Sequence, residues 1–186
     1  MQVDLSRSKT RWPWSVKLRR GIWTFVLEPL VRWLPKVCSP MRVAALRLMG
    51  AHIGHRCLVM PGVRVLMPWQ LSMGDWSALG EAVNVYNFAP IHIGSHTVVS
   101  QFSYLCTGSH DYTREEMPLI HAPIDIGAQA WIAADVFIGP GVCIPDGAVI
   151  AARSVVTKSL PDKWAVYGGH PCRWIKPRLR PLPTSQ

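Results

Sequence analysis

The chain repeats an aliphatic side chain every six residues. From Ile126, five successive steps of six end at Val156, and each step meets Ile or Val. A small or aliphatic residue stands four positions after each of the first five, at Ala130, Val136, Val142, Ala148 and Ser154. Because alternate side chains of a strand face the same way, both residues of each repeat turn inward. A period of six therefore predicts one short strand and one turn per repeat.

Three such repeats return the chain to its starting side, about 4.8 Å further along, where parallel strands can pair. With small phase shifts upstream, coils begin near Ile53, Met73, Ile93, Ile126 and Ile144. Two steps of 20 instead of 18 residues predict slightly longer turns. Glycine often follows the aliphatic residue, and we expect it there for the backbone angles of the corners. The sequence thus predicts a mainly β fold, a parallel β-helix of triangular cross-section.

One coil is much longer than the others. From Ile93 to Ile126 the step is 33 residues, which leaves 15 more than a regular coil needs. The pattern therefore predicts a loop ejected from the prism within residues 107–123. Long loops on regular scaffolds commonly carry function, so we expect this loop to be functional.

The first fifty residues follow a different pattern. Apolar residues recur at helical spacing, and we expect helix across residues 21–49, with Pro29 and Pro35 kinking or ending segments. These basic, amphipathic helices suit two roles, a cap on the open end of the solenoid or contact with an anionic membrane surface. We divide the chain into this segment at 1–50, the β-helix at 51–162 and a tail at 163–186.

Positive charge is concentrated at the two ends of the chain. The formal net charge is +9, with ten Lys and Arg residues but one acid, Glu28, between Arg7 and Arg47. Four basic residues and no acid follow His170. Nucleic acid, an anionic membrane or a phosphorylated ligand could each bind such surfaces. No nucleic-acid recognition motif is present, and we expect no nucleic-acid partner.

The cellular compartment is indicated by what the sequence lacks. It has no secretory signal pattern and no apolar run of about 20 residues. We expect a cytoplasmic protein, with peripheral contact at the inner face of the membrane as an open alternative. The five cysteines include no CxxC pair, so neither a zinc knuckle nor a dithiol redox site is indicated.

Three stretches resemble the hexapeptide-repeat acetyltransferases. The first, at 105–112, has the sequence LCTGSHDY and leads into the extended loop. The second comprises the regular final coils at 126–158, and the third, at 167–173, is similar to the G-x-P-x-R ending of these enzymes. Together they resemble the branch with galactoside, maltose and nodulation-factor acetyltransferases, and most closely the colanic-acid-type exopolysaccharide O-acetyltransferases.

This resemblance implies a left-handed coil, a hand that periodicity alone does not fix. It implies an enzyme that moves an acetyl group from acetyl-CoA to a saccharide hydroxyl, and a homotrimer with active sites between subunits. His110 stands where these enzymes hold their general base. An imidazole suits that task because it exchanges protons near neutral pH.

Further roles are implied by the same resemblance. Asn84, or else Asn87, is expected to orient the acceptor or bind the oxyanion. Asp111 or Glu81 is expected to orient the imidazole or the sugar. The residues expected to contact acetyl-CoA are Trp131, Ala134, Ala152, Thr157, Lys158, Arg173 and Lys176. The three basic residues among them would meet the nucleotide phosphates.

Two other functions stay open at this point. A zinc enzyme of the carbonic anhydrase kind would need three histidines to converge across an interface, with His92, His96, His110 and His121 as candidates. We expect no metal, because the 167–173 ending and the Val-Thr-Lys segment favour CoA. A scaffold or membrane-surface module would need no catalysis, but His110 in its Thr-Gly-Ser-His-Asp setting argues against it.

Overall fold

The computed structural model describes residues 12–179, so the basic residues Arg7, Lys9, Arg11 and Arg180 lie outside the described part. The chain starts with helix: α1 at Trp14–Ile22, a π turn at Trp23–Leu27 and α2 at Glu28–Arg32. A 3-10 turn at Lys36–Cys38 leads to α3 at Ser39–Leu48. Helix thus begins before residue 21. The π turn lies where the Pro29 ring would otherwise clash with the carbonyl four residues earlier.

Three parallel sheets form the walls of a triangular prism. The first contains β1 (His52–Ile53), β4 (Leu71–Met73), β7 (Ile91–Ile93), β12 (Ile124–Ile126) and β15 (Cys143–Ile144). The second contains β2 (Leu58–Val59), β5 (Ala78–Leu79), β8 (Val98–Val99), β13 (Trp131–Ile132), β16 (Val149–Ile150), β18 (Ala165–Gly168) and β19 (Arg173–Pro177). The third contains β3 (Arg64–Val65), β6 (Asn84–Tyr86), β9 (Tyr104–Cys106), β14 (Phe137–Ile138) and β17 (Val155–Val156).

The expected start of each coil is confirmed by the register of the first sheet. Ile53, Met73, Ile93, Ile126 and Ile144 pair one after another along it. The small residues that share the inner face are buried with them, for example Ala148 and Ser154. The aliphatic ladders therefore fill the prism with a single continuous core.

The conformational reason given for the repeated glycines was wrong. The left-handed backbone falls three residues after each aliphatic residue, and is adopted there mostly by side chains other than glycine, with φ from 53° to 62°. The glycine directly after the aliphatic residue is needed for space. A Cβ on Gly80 would lie 2.6 Å from the backbone nitrogen of Gln101, and one on Gly127 would lie 2.5 Å from that of Asp146.

All three enlargements of the coils lie at one edge of the prism, between the third and first sheets. Two are short turns, one of them a 3-10 turn at Pro68–Gln70. The third is the predicted ejected loop, which forms an antiparallel hairpin of β10 (Gly108–His110) and β11 (Leu119–His121). The hairpin therefore stands above two wider turns that broaden this edge.

The N-terminal helices cover the first coil, as the capping interpretation predicted. Trp23 is buried and its Nε1 donates to the carbonyl of Val65 at 2.6 Å. Arg42, only 3% exposed, donates from Nε to the carbonyl of Val59 at 2.7 Å and from a terminal nitrogen to that of Leu34 at 2.8 Å. Part of the N-terminal positive charge thus binds the helices to the prism.

Candidate active site

The hairpin between the third and first sheets carries His110. This residue stands opposite Leu119 in the hairpin, and its side chain is exposed. Gly108 begins the hairpin against the ring of Phe88, where a Cβ would come within 2.8 Å of a ring carbon. The base of the hairpin is therefore seated directly on the prism.

A backbone carbonyl holds the imidazole ring of His110. Nδ1 lies 2.6 Å from the carbonyl oxygen of Met117. Because a carbonyl oxygen only accepts, this contact places the proton on Nδ1 and leaves the Nε2 lone pair free. Met117 has a φ of 42°, so the turn that aims this carbonyl uses a left-handed backbone that L-residues seldom adopt.

Asp111 makes its contacts within the loop and not with the imidazole. Its Oδ1 accepts from the hydroxyl of Thr113 at 2.6 Å and from the backbone nitrogen of Thr113 at 3.1 Å. These hydrogen bonds lower the pKa of Asp111 below its ordinary value. The group that orients the ring is thus the Met117 carbonyl, which no side-chain pattern in the sequence could reveal.

The two asparagines considered for catalysis have different surroundings. Asn87 is fully buried, and its amide bonds the backbone of Met67 twice, accepting from the nitrogen at 2.9 Å and donating to the oxygen at 2.8 Å. Asn84 makes no side-chain hydrogen bond to any residue between 12 and 179 and lines a cavity. The amide of Asn84 is therefore available to a ligand, whereas that of Asn87 closes a turn.

The cavity beside Asn84 has a volume of about 160 Å³ and lies between the N-terminal helix and the third sheet. Its lining residues are Thr24, Glu28, Arg64, Val65, Leu66, Asn84, Tyr86 and Tyr104. Burial, with a smaller contribution from Cys106, raises the pKa of Tyr104 to about 12. The carbonyl of Tyr86 accepts from the backbone nitrogen of Thr107 at 3.1 Å, so the cavity wall is joined to the root of the hairpin.

Glu28 is the functional candidate that sequence reasoning missed. Its side chain is 8% exposed, and its Oε1 has no hydrogen-bond partner among residues 12–179. Burial raises the pKa of Glu28, against an opposing effect of the positive Arg32 and Arg64. The available indication was that Glu28 is the one acid within a strongly basic stretch.

A second cavity brings together three of the residues expected at acetyl-CoA. Thr157, Lys158 and Arg173 line a space of about 280 Å³ beside the end of the last coil, together with Trp174. Thr157 follows β17 at the same edge of the prism that bears the hairpin. Since β14 alone separates β17 from β9 in the third sheet, the cavity lies about 10 Å along this edge from the hairpin root.

The other residues expected at acetyl-CoA lie elsewhere on the same subunit. Ala134 and Ala152 occupy successive coils at the edge between the second and third sheets, where the carbonyl of Ala134 accepts from Arg153 at 2.9 Å. Trp131 is exposed on the second sheet, and its Nε1 donates to the Ser100 hydroxyl at 3.0 Å. Lys176 is exposed on β19. Within one subunit these four residues do not share the cavity of Thr157.

Comparison with known proteins identifies the family. The chain is 44% identical over 158 residues to WcaF of Escherichia coli (strain K12), assigned to colanic acid biosynthesis as an acetyltransferase, which covers 85% of this chain and 86% of that protein. No family model matches the chain.

Two solved structures have the same fold. A maltose O-acetyltransferase from Clostridium difficile 630 superposes with a TM-score of 0.81 at 26% identity, covering 90% of both chains. A hexapeptide-repeat acetyltransferase from Vibrio cholerae in complex with acetyl coenzyme A superposes with a TM-score of 0.79 at 28% identity, covering 89% of this chain and 88% of that one. The chain belongs to the hexapeptide-repeat acetyltransferases. This acetyltransferase is accordingly a left-handed β-helix, as the resemblance implied.

Two further findings concern what the described part of this acetyltransferase contains. No helix between residues 12 and 179 is long and apolar enough to cross a membrane. Over the same residues, no three His, Cys, Asp or Glu side chains are grouped so that they could hold a metal ion.

Proposed function

We propose that this acetyltransferase moves an acetyl group from acetyl-CoA to a hydroxyl of a saccharide, most plausibly an exopolysaccharide or its precursor. The observation that carries this proposal is the His110 ring, bonded through Nδ1 to Met117 on a hairpin that shares a prism edge with the Thr157 cavity. The relatives and solved structures named above support the donor and the class of acceptor.

In the proposed reaction Nε2 of His110 takes the proton from the acceptor hydroxyl. The hydroxyl oxygen attacks the thioester carbonyl carbon, the carbon–sulfur bond then breaks, and the CoA sulfur leaves with the proton that the imidazolium returns. The carbonyl of Met117 favours the imidazolium because it accepts the Nδ1 proton throughout. General-base catalysis of this kind contributes about 10² to 10⁴ in rate.

On the donor side, Lys158 and Arg173 would meet phosphate oxygens, and Thr157 would meet the pantetheine arm. Both charged residues line the larger cavity, and guanidinium and ammonium groups are the usual protein partners of phosphate. Lys176, exposed on the adjacent strand β19, would extend this positive surface.

The remaining donor residues support a homotrimer with shared sites. Ala134 and Ala152 lie at one edge of the prism, and Thr157 follows β17 at another. A groove between two prisms would bring one edge of a subunit and the face that carries Trp131 in its neighbour against the same ligand. We therefore propose that each acetyl-CoA binds between two subunits.

For the acceptor we propose that Asn84 orients the sugar and that Asp111 shapes the loop above it. The free amide of Asn84 lines a cavity, whereas the carboxylate of Asp111 accepts from Thr113. Binding of the oxyanion by Asn84 is less well supported, because no contact links Asn84 to the hairpin strands of His110.

We further propose that the N-terminal helix rests on an anionic membrane surface at the cytoplasmic side. Large apolar side chains on it are exposed at helical intervals: Trp14, Leu18, Ile22, Phe25, Leu30 and Trp33. Lys17 and Lys36 are also exposed. An apolar face flanked by lysine and arginine is the pattern of helices that lie in the membrane interface.

The test is acetyl transfer by the purified full-length protein. Acetyl-CoA is offered with neutral methyl glycosides and with short exopolysaccharide fragments, and release of the CoA thiol is followed together with the mass of the sugar product. We expect thiol release that depends on the sugar and a product heavier by one acetyl group. Absence of both with every acceptor, from protein that binds acetyl-CoA, would contradict the saccharide assignment.

A further inference from the structure

We propose that the cavity between the N-terminal helix and the third sheet is a subsite for a neutral sugar unit of the acceptor, with Glu28, Arg64 and Asn84 binding its hydroxyl groups. This inference rests on the proposed function, because it takes the acceptor to be a saccharide. The subsite would hold a part of the acceptor other than the reacting hydroxyl.

The first observation is the unsatisfied carboxylate. A buried polar atom without a hydrogen bond costs free energy, so proteins rarely keep one without a reason. Glu28 keeps one: it is more than nine-tenths buried, its Oε1 is unpartnered within the described chain, and it lines the cavity. Its nearest basic neighbours, Arg32 and Arg64, lie beyond the distance of an ion pair. A hydroxyl donated by a ligand would satisfy this atom.

The second observation is the set of polar groups that faces Glu28 across the cavity. Arg64 and Asn84 stand side by side in register on the third sheet, and both line the cavity. The guanidinium only donates, the carboxylate accepts, and the amide does both. Adjacent hydroxyl groups of a sugar, each donor and acceptor, match this set.

The charges favour a neutral ligand. An ammonium group that approached Glu28 would also approach Arg64, and a carboxylate or phosphate that approached Arg64 would also approach Glu28. A hydroxyl pair meets both without a like-charge contact. Charged groups of a ligand are therefore disfavoured on both sides of the cavity.

The size and remaining walls fit a single ring. A space of about 160 Å³ would hold roughly five waters and is smaller than a drug-sized pocket. Tyr86 and Tyr104 supply apolar ring surface against which a sugar can pack, and they meet edge to face at 6.0 Å between centroids. Because Tyr86 is bonded to Thr107, a sugar here would lie beside the root of the hairpin that carries His110.

The experiment measures sugar binding directly and needs no turnover. Full-length wild type, Glu28→Gln, Asn84→Ala and the control Asp75→Asn are titrated with the methyl glycosides of galactose, glucose and fucose by saturation-transfer NMR. Asp75 is an exposed carboxylate of the same coil that lines neither cavity described above. Acetyl-CoA binding and thermal unfolding are measured on the same samples.

We expect at least one glycoside to bind the wild type and Asp75→Asn equally, and to bind Glu28→Gln about tenfold more weakly, the usual loss for one hydrogen bond to a charged group. Acetyl-CoA affinity should not change. Equal glycoside binding by Glu28→Gln and wild type, or binding by neither, would overturn the subsite even if acetyl transfer to saccharides is found. Weakened binding without any acetyl transfer would keep the subsite and remove the proposed reaction.

Discussion

Nδ1 of His110 and the carbonyl oxygen of Met117 are 2.6 Å apart, although seven residues separate them in the hairpin. This contact fixes both the direction of the ring and the nitrogen that carries its proton. The carbonyl cannot be removed by substitution of a side chain, so the consequences of the contact are tested through the ring itself.

Replacement of His110 by Ala should lower kcat by about 10² to 10⁴ while the dissociation constant of acetyl-CoA stays the same. His110→Gln should be equally slow, because an amide cannot serve as the base at Nε2. His52, an exposed histidine of the first coil, provides the matched control, and His52→Ala should keep the wild-type rate. A His110→Ala enzyme within a factor of a few of the wild type would exclude this base.

Removal of positive charge from the larger cavity should weaken the donor. Lys158→Ala and Arg173→Ala should each raise the dissociation constant of acetyl-CoA by about fivefold to tenfold, and added salt should reduce the difference from wild type. Dephospho-forms of the ligand should be affected less. Titration calorimetry at two salt concentrations makes the measurement, and Arg56→Gln, an exposed change on the first coil, should bind normally. Unaltered affinity in both cavity variants would move the phosphate site elsewhere.

Asn84 and Asn87 provide a matched pair for separating stability from function. Asn87→Ala breaks two buried hydrogen bonds and leaves the Met67 backbone unpaired, so the free energy of unfolding should fall by about 2 to 4 kcal/mol. Asn84→Ala breaks none and should change it by less than about 0.5 kcal/mol. Chemical denaturation measures both. Similar losses in the two variants would contradict these separate roles.

The buried Glu28 should make stability depend on pH in a defined direction. Burial raises its pKa in the folded protein, so folding favours the protonated form. This contribution is fully present below the unfolded-state pKa of about 4.3 and is lost as the pH rises through the folded-state pKa. Glu28→Gln should therefore unfold at a higher temperature than wild type at neutral pH, and this gain should shrink on acidification. A gain that is constant with pH would show that Glu28 does not titrate in this way.

The repeat predicted the scaffold well because it is written in side chains. Ile53 and Met73 begin coils as the period of six requires, and the surplus of 15 residues forms the hairpin. The carbonyl of Met117 had no sequence pattern, because any residue supplies a carbonyl. Glu28 acquires its raised pKa only when α2 packs on the prism, and that burial depends on contacts between distant parts of the chain.

Membrane contact predicts a loss of vesicle binding when the exposed helix face is made polar. Phe25 is 82% and Trp33 70% exposed, so Phe25→Ser with Trp33→Ser should leave folding intact. Because both side chains would otherwise enter the lipid, partition onto phosphatidylglycerol vesicles should fall at least about tenfold. Pure phosphatidylcholine vesicles should bind the wild type poorly, because they offer the lysines no net negative charge.

Leu58→Ser supplies the matched control, since Leu58 is also half-exposed but lies on β2 of the prism. It should bind vesicles as the wild type does, in co-sedimentation at one lipid concentration. A neighbouring subunit is the other surface that could cover the helix. In that case the double variant would change the sedimentation velocity of the protein without lipid, and the vesicle assay would not distinguish it from wild type, which would rule out the membrane assignment.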